Sequence, residues 1–160
     1  MSPKVTELII RKANIEDLDG LVEIEQACFD VPWSRESLEK DLTENPMALV
    51  IAAVTGGKLV GYVDVWLIEE EGHINNVAVL PEYQGMGIGM ILFNTMIEVT
   101  ERAGIQSHTL EVARGNDRAI DLYEKFGFQE AGVRPGYYEN GDDAIIMWRL
   151  GDPGKVGEGS

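Results

Sequence analysis

NNVAVLPEYQGMGIG, residues 75–89, joins an apolar strand to a glycine-rich loop that opens a long amphipathic helix. Glycine lets the backbone come within hydrogen-bonding distance of a ligand, because no Cβ stands in the way. The first turn of the helix adds N–H groups without intrahelical partners, and these carry a partial positive charge. The stretch therefore predicts a phosphate-binding loop. It is not a P-loop, because no Gly-Lys-Ser/Thr follows the first glycines.

Two phosphate ligands compete for this loop. Gly85-x-Gly87 begins like the dinucleotide fingerprint G-x-G-x-x-G, and Glu111 follows at about the distance that the fingerprint asks. Against a dinucleotide, the sixth position is Met90, and residues 80–84 separate the strand from the first glycine. Too few residues follow for the remaining βαβ units. The other ligand is coenzyme A, because Gln84-x-x-Gly87-x-Gly89 resembles the acyl-CoA loop of the GNAT family of N-acetyltransferases.

The remaining pattern predicts the order β-α-α-β-β-β-α-β-α-β-β, an α+β fold with a mixed sheet. Asn14 and Ser34 are predicted helix caps, Thr55-Gly56-Gly57-Lys58 a hairpin turn, and residues 69–72 a second turn. The predicted strands are 6–11, 47–54, 59–68, the segment ending at Val79, 107–113, 128–133 and 144–150; the predicted helices are 15–28, 34–44, the one opened by the glycine loop and ended by Gly104, and 116–127.

Length and composition bound the class of protein. The 160 residues predict one domain, residues 1–150, followed by a Gly-rich disordered tail, residues 151–160. The single cysteine, Cys28, excludes an internal disulfide and a cysteine-cluster metal site, and we expect it to be a small core residue. The formal net charge of −15 argues against a nucleic-acid partner and favours a basic peptide. Neither a membrane-spanning run nor a secretory leader is evident, so we expect no membrane partner and a cytoplasmic location.

The second half of the chain strengthens the GNAT resemblance. Its motifs are LEVARGN at 110–116, AI-x-LYEKFGF at 119–128 and GYY-x-x-G-x-DAIIM at 136–147, and Pro32-Trp33-Ser34 adds a match near the N-terminus. They are similar to the branch of ribosomal-protein alanine N-acetyltransferases (RimI-like) and Nα-acetyltransferase catalytic subunits. The resemblance covers about residues 6 to 150 and is thin in the first half. It implies the GNAT fold, a mostly antiparallel seven-stranded sheet with helices on both faces.

The resemblance also implies acetyl-CoA as co-substrate, with no metal. The implied cofactor-binding residues are the strand Val77, Ala78 and Val79, the loop Gln84, Gly85, Met86, Gly87, Ile88, Gly89 and Met90, and Asn116. Asn116 is also a good helix cap in its own right. Related loops often carry Arg or Lys at positions that are Gly85, Met86 and Met90 here, which leaves the diphosphate to backbone N–H groups.

Two residues are candidates for acid–base chemistry. Glu111 lies within an otherwise apolar strand, so it is either a salt-bridge partner of Arg114 or Arg118, or a buried general base whose pKa desolvation raises. Tyr123 falls on the following helix and is either a core aromatic or an acid. By resemblance, Glu111 accepts the amine proton and Tyr123 donates a proton to the leaving thiolate.

Three aromatics on predicted loops, Trp33, Tyr137 and Tyr138, are candidate substrate-binding residues. Their alternative role is as half-buried loop anchors; by resemblance they line the peptide channel. Glu139, Asp142 and Asp143 either add negative charge to the rim of that channel or serve solvation. His73 and His108 show no metal spacing and are expected to be structural.

The function that follows is transfer of an acetyl group from acetyl-CoA to a protein N-terminal α-amine by direct attack, RimI-like, with the N-terminal alanine of a small-subunit ribosomal protein as the implied acceptor. Two rivals stay open. One is a GNAT activity on lysine, a polyamine or another small-molecule amine. The other is a module that binds acetyl-CoA without catalysis.

Overall fold

The computed structural model describes residues 7–151. These divide into two units, residues 7–66 with 76–97, and residues 67–75 with 98–151. In chain order the elements are β1 Ile9–Lys12, a 3-10 turn Ile15–Asp17, α1 Leu18–Cys28, α2 Arg35–Thr43, β2 Ala48–Thr55, β3 Lys58–Ile68, β4 Glu71–Val79, a 3-10 turn Pro81–Tyr83, α3 Ile88–Arg102, β5 Ser107–Ala113, α4 Asp117–Lys125, β6 Gln129–Arg134 and β7 Ala144–Leu150. The predicted element order is confirmed.

Strand pairing follows the order β1-β2-β3-β4-β5-β7-β6, a seven-stranded sheet. The pairs β1–β2, β2–β3, β5–β7 and β6–β7 are antiparallel, whereas β4–β5 is parallel. The predicted α+β class with a mixed, mostly antiparallel sheet is therefore confirmed.

Local capping explains where the helices of the first unit begin. Asn14 and Asp17 form a reciprocal capping box. The Asn14 side chain accepts from a backbone N–H of the first turn, and the Asn14 backbone N–H donates to Asp17 Oδ2 at 2.9 Å. A 3-10 turn precedes α1, so the predicted single helix from Ile15 is wrong in its first turn. Ser34 accepts from the N–H of Ser37 and starts α2, as predicted.

The turns between β2, β3 and β4 differ in one respect from the prediction. Gly56 and Gly57 both take positive φ, the geometry of a two-residue hairpin, which confirms the first turn. The second turn contains only Glu69 and Glu70, with Glu69 at φ 55°, so β4 begins two residues earlier than predicted. The loop is shorter because a non-glycine residue accepts the left-handed conformation.

Each unit has its own apolar core. In the first unit, Leu21 and Ile24 of α1, Tyr62 of β3, and Phe93 and Met96 of α3 are fully buried. The second unit has a smaller core, whose most buried apolar members are Ile105, Leu110, Phe128, Ala144 and Met147.

The chain ends need two corrections. Strand β1 is Ile9–Lys12, not residues 6–11, and Thr6 lies outside the described residues. Gly151, the first residue of the predicted tail, donates its N–H to Gln106 O at 2.7 Å. The rest of that tail, residues 152–160, lies outside the described residues. Within residues 7–151, no helix has both the length and the apolar character that crossing a membrane requires.

Candidate active site

The glycine loop of the first unit connects β4 to α3. After Val79 the chain makes the 3-10 turn, and Gly85 and Gly87 then take φ of +82° and +83°. Gly87 caps the helix, since its carbonyl accepts from the N–H of Ile91 at 3.1 Å. The Gln84 side chain turns back and donates from Nε2 to Val79 O at 3.0 Å. Left-handed backbone at two positions explains why both residues are glycine.

The loop has the open space that a phosphate needs. A Cβ built at Gly85 or Gly87 would meet nothing within 4 Å, and one at Gly89 would touch only Val79 Cγ2 at 3.8 Å. Ile88 is buried and fixes the first turn of α3, while Met90 is exposed. Residues 84–90 contain no Lys or Arg. The loop therefore fits an anionic ligand through backbone N–H groups and the helix terminus, as the sequence predicts.

Strand β4 continues beyond its pairing with β5. The parallel ladder comprises Glu71–Ile74 on β4, with Ser107–Leu110 on β5. Val77, Ala78 and Val79 therefore lie past that ladder. Ala78 is buried, and its two neighbours are half-buried. Their position suits the predicted backbone pairing with an amide-containing ligand.

Glu111 is less buried than its apolar strand suggested. Over Leu110–Val112 the burial of β5 alternates: Leu110 and Val112 face the core, and the Glu111 side chain, 31% exposed, points the other way. Its carboxylate Oε1 lies 3.3 Å from Nε of Arg134 on β6. The expected burial of Glu111 is therefore wrong, and the ion-pair partner beside it is Arg134. Arg114 pairs instead with Asp143 at 3.4 Å.

Tyr123 is a phenol that stays protonated. It lies half-buried on α4, with its ring 6.1 Å from that of Phe128. Burial raises the pKa of Tyr123 to about 12, and the neighbouring Tyr138 phenol adds to the rise. A group in this state can donate a proton or a hydrogen bond at neutral pH but cannot act as a base. Asn116 caps α4 by accepting from the N–H of Ala119 at 3.2 Å, as predicted.

The loop between β6 and β7 carries the tyrosine pair. The rings of Tyr137 and Tyr138 meet edge to face at 5.2 Å, and the Arg134 guanidinium lies 5.7 Å from the Tyr137 ring centroid. Burial raises the pKa of Tyr138, with the Glu111 charge as the second cause. Tyr138 therefore interacts electrostatically with both Glu111 and Tyr123. The second unit contains the predicted base, the predicted acid and two of the predicted substrate-binding aromatics.

The acidic residues of this loop have different roles. Asp143 accepts from the N–H of Gly136 at 3.0 Å and pairs with Arg114, so it holds the loop and its charge is compensated. Asp142 is exposed and accepts from Asn140 Nδ2, and Glu139 is exposed as well. Only Glu139 and Asp142 then remain as candidates for negative charge at the rim.

Trp33 belongs to a buried polar cluster that sequence reasoning missed. Its backbone N–H donates to Glu25 Oε1 at 2.9 Å, and Glu25 on α1 is 1% exposed. Asn76 Nδ2 donates at 2.8 Å both to Glu25 Oε2 and to Tyr62 OH. Burial raises the pKa of Glu25, while the hydrogen bonds from Trp33 and Asn76 oppose the rise. A signal existed, since Glu25 lies on the same helical stripe as Leu18, Leu21 and Cys28.

Cys28, expected in the core, is only half-buried, and the two histidines make contacts within their own unit. The Cys28 thiol is half-buried and donates to Val79 O at 3.2 Å, and burial raises its pKa, with Glu25 and Glu82 adding to the rise. His108 is fully buried and shares a 2.8 Å hydrogen bond with Thr100, as a structural residue should. His73 lies 3.0 Å from Glu71. Between residues 7 and 151, no group of three or more His, Cys, Asp and Glu side chains is placed to hold a metal ion.

Comparison with known proteins identifies the family. The model described as the acetyltransferase (GNAT) family matches residues 18–128. A Bacillus subtilis protein, provisionally named as a ribosomal protein bS18-alanine N-acetyltransferase, is 38% identical over 144 residues, covering 89% of this chain and 95% of its own. The Haemophilus influenzae protein named for the same activity is 34% identical over 143 residues, covering 87% of this chain and 96% of its own.

A solved structure agrees with these relatives. The crystal structure of the ribosomal-protein-S18-alanine N-acetyltransferase from Escherichia coli superposes with a TM-score of 0.84 at 33% identity, covering 90% of this chain and 94% of that one. The resemblance inferred from the glycine loop and the second-half motifs is confirmed, and acetyl-CoA is the co-substrate that goes with it. This chain belongs to the acetyltransferase (GNAT) family and is an acetyl-CoA-dependent N-acyltransferase.

Proposed function

We propose that this enzyme acetylates a protein N-terminal α-amine, and that its acceptor is the N-terminal alanine of a small-subunit ribosomal protein. The observation that carries the chemistry is the placement of three groups in the second unit. The partly exposed Glu111 carboxylate lies on β5 and the half-buried Tyr123 phenol on α4, and both interact electrostatically with Tyr138 on the β6–β7 loop. The acceptor is suggested by relatives at 34% and 38% identity, whose names specify alanine of ribosomal protein bS18. We also propose that residues 1–150 form this one catalytic domain in the cytoplasm.

In the proposed binding mode, backbone groups of the first unit hold acetyl-CoA. The N–H groups of the loop from Gln84 to Met90 and the start of α3 receive the diphosphate. The backbone of Val77–Val79 pairs with the pantetheine amides, and Asn116 adds a contact from the start of α4. Support comes from the open space at Gly85 and Gly87 and from the position of Val77–Val79 past the β4–β5 ladder.

The proposed reaction is a direct transfer. The free amine attacks the thioester carbonyl, so that a C–N bond forms and the C–S bond breaks. Glu111, directly or through water, receives the proton that the amine loses. Tyr123 protonates the leaving thiolate, and its phenolate then regains a proton from water. The partly exposed Glu111 carboxylate can return its proton to solvent. The proposed transfer does not use Cys28 as a nucleophile. Burial raises the pKa of its thiol, which disfavours the reactive thiolate, and the thiol donates a hydrogen bond to Val79 O.

An α-amine suits this weak base better than a lysine. An α-amine has a pKa of about 8 against about 10.4 for lysine, so about a tenth of it is already free base near neutrality. The Trp33, Tyr137 and Tyr138 side chains are each proposed to contact the peptide backbone. Glu139 and Asp142, both exposed, and the net charge of −15 would attract a basic peptide.

The test is an acetyl-CoA assay on short peptides that are free at the α-amine. An Ala-Arg peptide should react faster than an Ala-Glu peptide, and the gap should narrow as salt rises, because exposed charges are screened over about 8–10 Å at physiological ionic strength. Blocking the α-amine should abolish transfer even when a lysine is present. Comparable transfer to the lysine of a blocked peptide would defeat the N-terminal assignment, and binding of acetyl-CoA without turnover on any amine would favour a non-catalytic module.

A further inference from the structure

The buried carboxylate of Glu25 has no part in the acid–base chemistry, yet it has the features of a residue under functional constraint. It is 1% exposed, and both of its oxygens accept hydrogen bonds, one from the Trp33 backbone and one from Asn76. A buried charge is costly unless such partners satisfy it. A helix position on the apolar stripe of α1 would ordinarily be served better by leucine. Stability alone therefore does not explain a glutamate here.

Glu25 makes a hydrogen bond near each end of the segment between α1 and α2, one through its backbone and one through its side chain. Its backbone carbonyl accepts from the N–H of Phe29 at 3.0 Å, and its carboxylate accepts from the N–H of Trp33 at 2.9 Å. Phe29 to Pro32 are all exposed, and Val31 is 62% exposed. One residue thus closes the segment into a loop that has little packing of its own.

Helix α1 also makes two hydrogen bonds to β4. Glu25 accepts from Asn76 at 2.8 Å, and Cys28, three residues further along α1, donates to Val79 O at 3.2 Å. Residues three apart on a helix lie on one face, so the two contacts bracket the strand segment Val77–Val79. That segment is the one proposed to pair with pantetheine. Glu25 therefore joins a strand proposed to bind the cofactor to a loop proposed to bind the acceptor.

We propose that Glu25 is a positioning residue for acceptor recognition: its carboxylate fixes the Trp33 loop against β4 through Asn76, so that Trp33 is held ready for the peptide. The inference rests on the proposed function, because it assigns Trp33 to the acceptor. Strand β4 has its own sheet partners, whereas the loop depends on Glu25. Loss of the contact should therefore weaken acceptor binding and leave acetyl-CoA binding intact.

The experiment exchanges the hydrogen-bond partners. Asn76→Asp places a second carboxylate against Glu25, and Glu25→Gln places an amide opposite the Asn76 amide. The double variant Glu25→Gln with Asn76→Asp restores one amide facing one carboxylate, and it still offers an oxygen to the Trp33 N–H. Steady-state kinetics with an Ala-Arg peptide and calorimetry with acetyl-CoA give the peptide KM, kcat and the acetyl-CoA Kd for each protein.

We expect Asn76→Asp to raise the peptide KM about tenfold or more, the size of a lost hydrogen bond to a charged group. Both kcat and the acetyl-CoA Kd should stay within about threefold, and the double variant should recover most of the lost peptide affinity. Asp41→Asn is the matched control. Asp41 is a buried carboxylate on α2 that accepts from Trp66 Nε1 and Asn45 Nδ2, two residues outside the Trp33 loop. Its loss should lower the melting temperature without changing the peptide KM.

Two results would overturn the inference. In the first, Asn76→Asp leaves the peptide KM unchanged. In the second, it weakens acetyl-CoA binding as much as peptide binding, which would mean that Glu25 and Asn76 position the strand segment Val77–Val79 and not the Trp33 loop. Either result leaves the proposed function standing if the unaltered enzyme acetylates the Ala-Arg peptide. Absence of acetylation by the unaltered enzyme would defeat the proposed function itself.

Discussion

Gly89 allows a substitution whose effects on stability and on binding have opposite signs. It lies in the first turn of α3, and its φ is not in the left-handed region, unlike those of Gly85 and Gly87. A Cβ at this position would make an ordinary contact, 3.8 Å from Val79 Cγ2. Gly89→Ala is therefore compatible with the fold of the free protein. Because the new methyl group lies where the backbone is proposed to approach the diphosphate, it should obstruct the ligand.

The magnitudes can be worked out separately. Alanine is favoured over glycine in a helix by up to about 1 kcal/mol. In a chain of this size that free energy raises the melting temperature of the ligand-free protein by about 2–4 °C. Loss of one hydrogen bond to a charged phosphate costs about 1.5–3 kcal/mol, or about 10–150-fold in the acetyl-CoA Kd. At a ligand concentration of 100 times the original Kd, the stabilisation by acetyl-CoA then falls from about 2.7 to about 1.4 kcal/mol or less.

Thermal unfolding with and without acetyl-CoA, together with calorimetry, measures both effects. Asn94→Ala, at an exposed position of the same helix, is the control: it should raise the melting temperature and leave the Kd unchanged. Gly87→Ala is less informative, because φ of +83° would impose about 1–3 kcal/mol of backbone strain on the loop itself. An unchanged acetyl-CoA Kd in Gly89→Ala would refute the assignment of this loop to the diphosphate.

Three further predictions concern single side chains. Tyr123→Phe should lower kcat about 10²–10⁴-fold and leave the acetyl-CoA Kd unchanged. Because the pKa of Tyr123 is raised to about 12, ionisation of this phenol should not lower kcat below about pH 10. Equal turnover in the two proteins would remove Tyr123 from the mechanism. Glu111→Gln should also lower kcat, with a defect that shrinks at high pH, where the amine loses its proton unaided; a defect constant with pH would argue against a base. Burial lowers the pKa of His108 from 6.5 to about 4, so the folded state binds the His108 proton less tightly than the unfolded state does. About 3 kcal/mol of unfolding free energy should therefore be present above pH 6.5 and be lost as the pH falls to 4. Urea unfolding of His108→Gln should lack this dependence of the unfolding free energy on pH.

Local sequence signals were sufficient to predict most of the fold. The capping box at Asn14, the Ser34 cap and the Gly56–Gly57 turn each depend on groups within a few residues, so spacing alone predicts them. The same holds for the glycine loop, whose positive φ angles at Gly85 and Gly87 are a property of the backbone that only glycine adopts readily. Turn length was less predictable, because Glu69 adopts a conformation that its residue type disfavours.

Sequence-distant contacts set the environment of the site, and these could not be predicted. Glu111 was expected in the core, but the pleat of β5 turns it outward and the β5–β7–β6 pairing brings Arg134 beside it, 23 residues away in the chain. Glu25 accepts from an amide 51 residues further on. No local pattern identifies such partners.

By itself, then, the amino-acid sequence determined the order of the elements, the loop suited to an anion and the residue types available for acid–base chemistry, because each depends on short-range geometry and on side-chain identity. Only the tertiary structure decided that Tyr123 is a protonated phenol coupled to Tyr138, that Glu111 is partly exposed, and that Glu25 holds the Trp33 loop. Burial and charge neighbours depend on which distant segments meet. Strand register and helix packing determine those meetings, and they set the chemical state of each group at the site.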